Sequence, residues 1–124
     1  MDWKECCDKK IVKNIKEDTE LVTSLIKTSK NKMDSSDLLN INETTAASKF
    51  SLAYDSLREL LEAISLKNGY KMYNHECYTA FLKEILNISD TGDEFDDIRK
   101  IRNAVNYYAK DISLDETEET IKRV

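Results

Sequence analysis

A chain of 124 residues with a formal net charge of -5 is long enough for one core of about four or five helices, too short for two cores, and too acidic for a broad duplex-DNA surface. Charged residues make up 35% and hydrophobic ones 40%, proline is absent and there are only two glycines, so the usual interrupters of helices are nearly missing. No apolar run approaches the roughly 18 to 20 residues of a membrane span, and the polar start Met1-Asp2-Trp3-Lys4-Glu5 lacks the apolar core of a signal peptide, so a cytoplasmic protein is expected.

In chain order, Cys7, Ile11, Ile15, Val22, Leu25 and Ile26 recur at steps of three, four or seven, which predicts a first helix over residues 2–28, with Asp2 and Glu5 as a capping pair. Residues 29–42 are rich in Ser, Asn, Lys and Asp and read as a loop or a frayed helix start. The second helix, 43–67, is the clearest. Ala46, Phe50, Ala53, Tyr54, Leu57, Leu60, Leu61 and Ile64 fall within about 140° of one another, and Gly69 is placed to close the helix in the left-handed conformation.

A third helix is expected over 74–88, with Asn74 as N-cap and His75, Tyr78, Phe81, Leu82, Ile85 and Leu86 on one side. The pairs Thr91/Glu94 and Ser113/Glu116 are capping boxes that open a fourth helix, 92–112, and a short acidic fifth, 114–123. No internal repeat or alternating strand pattern appears, so the expectation is a single all-α domain, 1–124, built as a four- to five-helix up-and-down bundle. Cys6, Cys7 and Cys77, an odd number with two adjacent, suit neither a disulfide framework nor zinc-finger spacing and are expected as reduced, structural thiols.

The chemistry of interest lies on the fourth helix. Its apolar stripe of Phe95, Ile98, Ile101, Val105, Tyr108 and Ile112 contains Arg102, at about 40° from Ile98. A guanidinium does not lose its proton and is costly to bury alone, so Arg102 must meet a carboxylate, a row of carbonyls or a cavity open to an anion. Either its stem packs while its head reaches solvent or one carboxylate, or it anchors an anion site for which phosphate is the natural guest. Asn103, Asn106, Tyr107 and Tyr108 add amides and phenols nearby, with Asn103 and Tyr107 pointing to the far side of the helix. His75 is the lone histidine, either a hydrogen-bonded structural residue or an acid-base group. No metal-ligand set, Gly-rich phosphate loop or catalytic triad order is present, no cofactor is expected, and the run Asp93-Glu94-Phe95-Asp96-Asp97 reads as first-turn carboxylates of a helix.

The stretch Ile101-Arg102-Asn103-Ala104-Val105-Asn106-Tyr107-Tyr108 resembles the HEPN family, whose late helix carries an Arg, a polar residue often Asn, a few variable residues and a His. Leu57-Arg58-Glu59-Leu60-Leu61-Glu62-Ala63, Asn68-Gly69-Tyr70-Lys71 and His75-Glu76 before Phe81-Leu82 are similar to the helix pair preceding that motif in small prokaryotic members, so the resemblance spans residues 50–113. It implies a homodimer with a shared cleft, RNA or a nucleotide as ligand, a nucleotidyltransferase-type protein as partner, and, in many members, metal-independent RNase or toxin activity. By position Arg102 matches the motif Arg and Asn103 its polar neighbour, while Tyr107 stands where the His belongs. A tyrosine with a pKa of about 10 is a poor base near neutrality. The expected function is therefore binding of RNA or a nucleotide at Arg102, Asn103, Asn106, Tyr107 and His75 without efficient catalysis. The alternatives are an RNase toxin using Arg102 and a substitute such as His75, and a non-catalytic dimerisation or partner-binding subunit.

Overall fold

The computed structural model describes residues 1–107 and 114–123, and for 105–107 and 114–116 only the backbone. Asp2 opens α1 (Trp3–Asp8) by accepting a hydrogen bond from the Glu5 N–H at 2.8 Å, as the capping pair implies. The helix then stops. Lys10 takes φ 58°, and the N–H groups of Lys10 and Ile11 close onto the carbonyls of Cys7 and Cys6, the double bond pattern of a helix C-terminus. The chain next extends into a strand, β1 (Val12–Asn14), and only at Asp18, whose carboxylate caps Leu21 N–H at 3.0 Å, does α2 (Thr19–Leu38) begin.

The expected helix 2–28 is thus three elements. A spacing of four residues is one helical turn and also two strand repeats, so Ile11 and Ile15 satisfy both periods. The expected loop 29–42 is also corrected, because α2 runs through most of it. Its buried positions there are Ser29 and Ser36, small polar residues at a helical spacing that an apolar pattern passes over.

α2 packs antiparallel on α3 (Ala46–Lys67), which ends at Asn68 with Gly69 at φ +88°, the left-handed closure that the sequence indicates. β2 (Tyr70–Met72) then pairs antiparallel with β1 in the register Val12 to Met72, Lys13 to Lys71 and Asn14 to Tyr70. This two-stranded ribbon is the one sheet among the described residues. Val12 and Met72 turn inward and are buried.

The third expected helix, 74–88, is shorter and of two kinds: α4 (Glu76–Ala80) runs into a π-helical turn (Phe81–Ile85), and Asn87 at φ 56° ends it. Asn74 does cap, its side-chain oxygen accepting from Glu76 N–H at 2.8 Å. α5 (Ser89–Tyr107) starts three residues before the expected 92, so Thr91 lies inside it and not at its cap. Gly92 falls in that first turn, where a Cβ would lie 2.8 Å from Lys83 Cγ and 3.3 Å from the Thr79 carbonyl, so glycine is what lets α5 lie close on α4. α6 (Leu114–Arg123) completes the bundle on α3, while Ser113, its expected cap, lies outside the described residues.

The all-α bundle is as expected. Its core joins Phe50, Tyr54 and Leu61 of α3, Cys77, Tyr78, Phe81 and Leu82 of α4 and the π turn, and Phe95 and Ile98 of α5. Leu60 and Ile64, counted in the apolar stripe of α3, are 40% and 41% exposed. The reduced-thiol expectation fails for two of the three cysteines. Cys6 of α1 and Cys77 of α4 are both buried, their Cα atoms 6.1 Å apart, and form a disulfide across 71 residues, leaving Cys7 exposed and free. Pairing depends on where two distant turns meet, which spacing in sequence does not encode. No helix among the described residues is long and apolar enough to cross a membrane.

Candidate functional site

The site is assembled from three elements around Tyr54. This tyrosine occupies the inner face of α3, fully buried, stacked on Phe95 with ring centres 6.1 Å apart and planes at 14°. Its hydroxyl meets His75 Nδ1 at 2.9 Å. His75 is carried in by the turn between β2 and α4, whose position is held by three ties to the N-terminal segment: the ribbon pairing, the bond from Tyr73 N–H to the Ile11 carbonyl at 2.9 Å, and the disulfide at Cys77. From the other side α5 lays the Arg102 guanidinium over the Tyr54 ring, 5.5 Å from its centre.

That contact gives the charge inside the apolar stripe an aromatic neighbour at cation–π range, a setting that suits arginine better than lysine. Beside it lies a cleft of about 310 Å³ lined by Tyr73, Asn74, His75, Arg99, Arg102 and Asn103. His75, Arg102 and Asn103, which the sequence places 27 and 28 residues apart, therefore share one cavity. Asn103, which helical geometry turns away from the apolar stripe, lines this cleft beside Arg102. Asn106 and Tyr107 belong to α5, and their side chains lie outside the described residues, as does all of Tyr108.

The charged residues that line the cleft are Arg99 and Arg102. Burial pushes His75 down to about 4, helped by Arg58, Arg102 and Arg99 and opposed by Asp55. Burial pushes the Tyr54 phenol up to about 12, with the same three arginines opposing. Both groups are neutral near pH 7, and the phenol can donate to Nδ1 while the imidazole proton sits on Nε2. Arg99 is held by Asp96 Oδ1, at 3.2 Å from Nε and 2.8 Å from one terminal nitrogen. Arg58 bonds Glu62 at 3.1 Å and lies 3.9 Å from Glu59. These carboxylates bond Arg99 and Arg58 and offset part of their charge, while the residues lining the cleft bring amide, imidazole, phenol and guanidinium groups.

A slightly larger cavity of about 410 Å³, between α1, α4 and α5, has the opposite character, with Asp2, Glu76, Glu84 and Asp96 on its wall. All four carboxylates are engaged, by Glu5 N–H, Met1 N, Trp3 N–H, and Arg99 with Lys100, and among the described residues no group of histidine, cysteine and carboxylate side chains is arranged to hold a metal ion. The basic cleft and not the acidic one is equipped for a phosphate.

Sequence reasoning missed Tyr54, Arg99, Tyr73 and Asn74 as members of the site. A signal existed for Arg99, which lies three residues before Arg102 and so on a neighbouring part of the same helix face. None existed for Tyr54, which is indistinguishable from a core aromatic until His75 and Arg102 are seen to meet on it. Compared with known proteins, the chain matches no family model, no curated protein and no solved structure.

Proposed function

We propose that the cleft receives the phosphate of an RNA or nucleotide, with Arg102 as the anchor, Arg99 as a second cation and Asn103 and His75 as hydrogen-bonding neighbours. The observation that carries this reading is the meeting of His75 with Arg102 and Asn103 in one cavity of about 310 Å³. A guanidinium fork matches phosphate oxygens, and the Arg102 guanidinium lies 5.5 Å from the centre of the Tyr54 ring, at the edge of the cleft. The resemblance of residues 50–113 to HEPN proteins supports the same ligand class. With it come the proposals of a homodimer and of a nucleotidyltransferase-type partner, while the cytoplasmic setting expected from the polar N-terminus stands against the Cys6–Cys77 disulfide, a bond rare in reducing compartments.

Binding is favoured over catalysis for a chemical reason. A base whose conjugate acid has a pKa near 4 draws a ribose hydroxyl proton weakly at neutral pH, and Tyr54, held near 12, keeps its own proton. The runner-up is a metal-independent RNase, which the placement of a histidine beside Arg102 supports.

Thermal unfolding in the presence of nucleotides and short single-stranded RNAs tests the binding reading. A ligand at 100 times its Kd stabilises by about 2.7 kcal/mol, and Arg102→Ala should abolish the shift. If no nucleotide or RNA raises the Tm of the unaltered protein, the reading fails. RNA cleavage in the presence of a chelator that disappears in both Arg102→Ala and His75→Ala would instead establish the nuclease.

A further inference from the structure

The outer face of the β1–β2 ribbon carries a group of side chains that the cleft alone does not explain. Lys13 and Lys71 are directly opposed across the two strands, an arrangement of like charges that destabilises a strand pair. Among the described residues no carboxylate pairs with either of them. Both ammonium groups instead lie by the ring of Tyr73, at 5.5 and 5.6 Å from its centre. Tyr73 is 59% exposed, unusual for a ring of that size, and it also lines the arginine cleft. The aromatic face and its two cations are therefore continuous with the wall that holds Arg99 and Arg102.

An exposed aromatic face beside a line of cations is the equipment with which proteins hold single-stranded nucleic acid, the ring stacking a base and the cations tracking the backbone. We propose that this ribbon face is a second subsite of the cleft: a single-stranded oligonucleotide places one phosphate at Arg102 and stacks a flanking base on Tyr73, with Lys13 and Lys71 moving from the ring to the next phosphates. This rests on the phosphate reading of the cleft and deepens it, naming an oligonucleotide as the ligand in place of a mononucleotide. The repulsion between the two lysines is relieved when phosphate lies between them, which gives the pair a role in the bound state that it lacks in the free one. The overall charge of -5 does not oppose this, because the contact needs a strip of local cations and not a basic surface.

Calorimetric titration of the full chain with adenosine monophosphate and with a five-nucleotide oligoadenylate RNA tests the proposal. The pentanucleotide should bind about tenfold tighter or more, a gain typical of one stacked base. Tyr73→Ser should remove most of that ratio and Tyr73→Phe should restore it, since a phenyl ring keeps the stacking face. Lys71→Gln should lower the slope of log affinity against log salt by about 0.7 for the pentanucleotide. A pentanucleotide no tighter than the mononucleotide, or a ratio that survives Tyr73→Ser, would overturn the ribbon subsite and leave the phosphate cleft standing. Failure of both ligands to bind would overturn the cleft reading and this subsite with it.

Discussion

On one side of α3, Phe50, Tyr54 and Leu61 join Phe81, Leu82, Phe95 and Ile98 in an apolar cluster, and on the other side, toward α2, the buried groups are Ser56 and Glu59. Ser29 and Ser56 bond each other's main-chain carbonyls at 2.8 and 2.7 Å, Ser36 bonds the Lys49 carbonyl at 3.0 Å, and Glu59 takes Thr28 at 3.0 Å and Lys32 at 2.5 Å. The apolar side gains its stability from area removed from water and from shape. The α2 side buries hydroxyl and carboxylate groups that bond across it. Its gain is register, because hydroxyl groups bonded to particular carbonyls leave the two helices one way to lie against each other. The candidate cleft forms at the rim of the apolar side, where a buried phenol lies beside a guanidinium and bonds an imidazole withdrawn from water.

The contrast is open to attack in order of expected effect. Phe50→Ala, which empties a fully buried site, should cost about 3–5 kcal/mol in urea unfolding, and a loss below about 1 kcal/mol would mean that the aromatic cluster is not the main source of stability. Reducing the Cys6–Cys77 bond should cost about 2–4 kcal/mol, read as a lower denaturation midpoint in reductant, because the bond closes a loop of 71 residues in the unfolded chain.

On the α2 side, Ser29→Ala should cost about 1–3 kcal/mol through the loss of a buried hydroxyl partner. Adding Ser56→Ala should cost less than a second such step, since the two hydroxyls touch at 3.0 Å and losing one already loosens the register on which the other's bond depends. Strict additivity in that double-mutant cycle would show that the two serines do not act as a unit.

The smallest effect concerns pH. His75 has a folded pKa of about 4 against 6.5 in the unfolded chain, so between those values the unfolded state binds the extra proton. Its contribution to stability is complete above about pH 6.5 and is lost as pH falls toward 4. Denaturation midpoints followed across this window should decline in the unaltered protein and less steeply in His75→Gln. Equal slopes would show that the imidazole is not desolvated in the folded state.

Much of this architecture is legible in the sequence. The α3 stripe, the Gly69 closure, the Asp2 and Asn74 caps and the anomalous position of Arg102 all follow from rules that act within a few residues. The misreadings share one cause. The run from Asp2 to Thr28 passes through α1, β1 and the start of α2, and its spacing cannot show that β1 will find β2 almost 60 residues later. The serines that seat α2 look like loop residues until α3 supplies carbonyls to receive them. Cys6 and Cys77 look unpaired until two helix turns bring their sulfurs together.

The sequence by itself determined a mostly helical chain, an arginine that its helix must turn inward, and a lone histidine with no obvious partner, since helical periodicity and the cost of burying charge are local matters. Only the tertiary structure decided that Tyr54, His75 and Arg102 meet, because a contact among three separate elements depends on how their faces pack. That meeting turns a charge in an apolar stripe into one wall of a cleft of about 310 Å³.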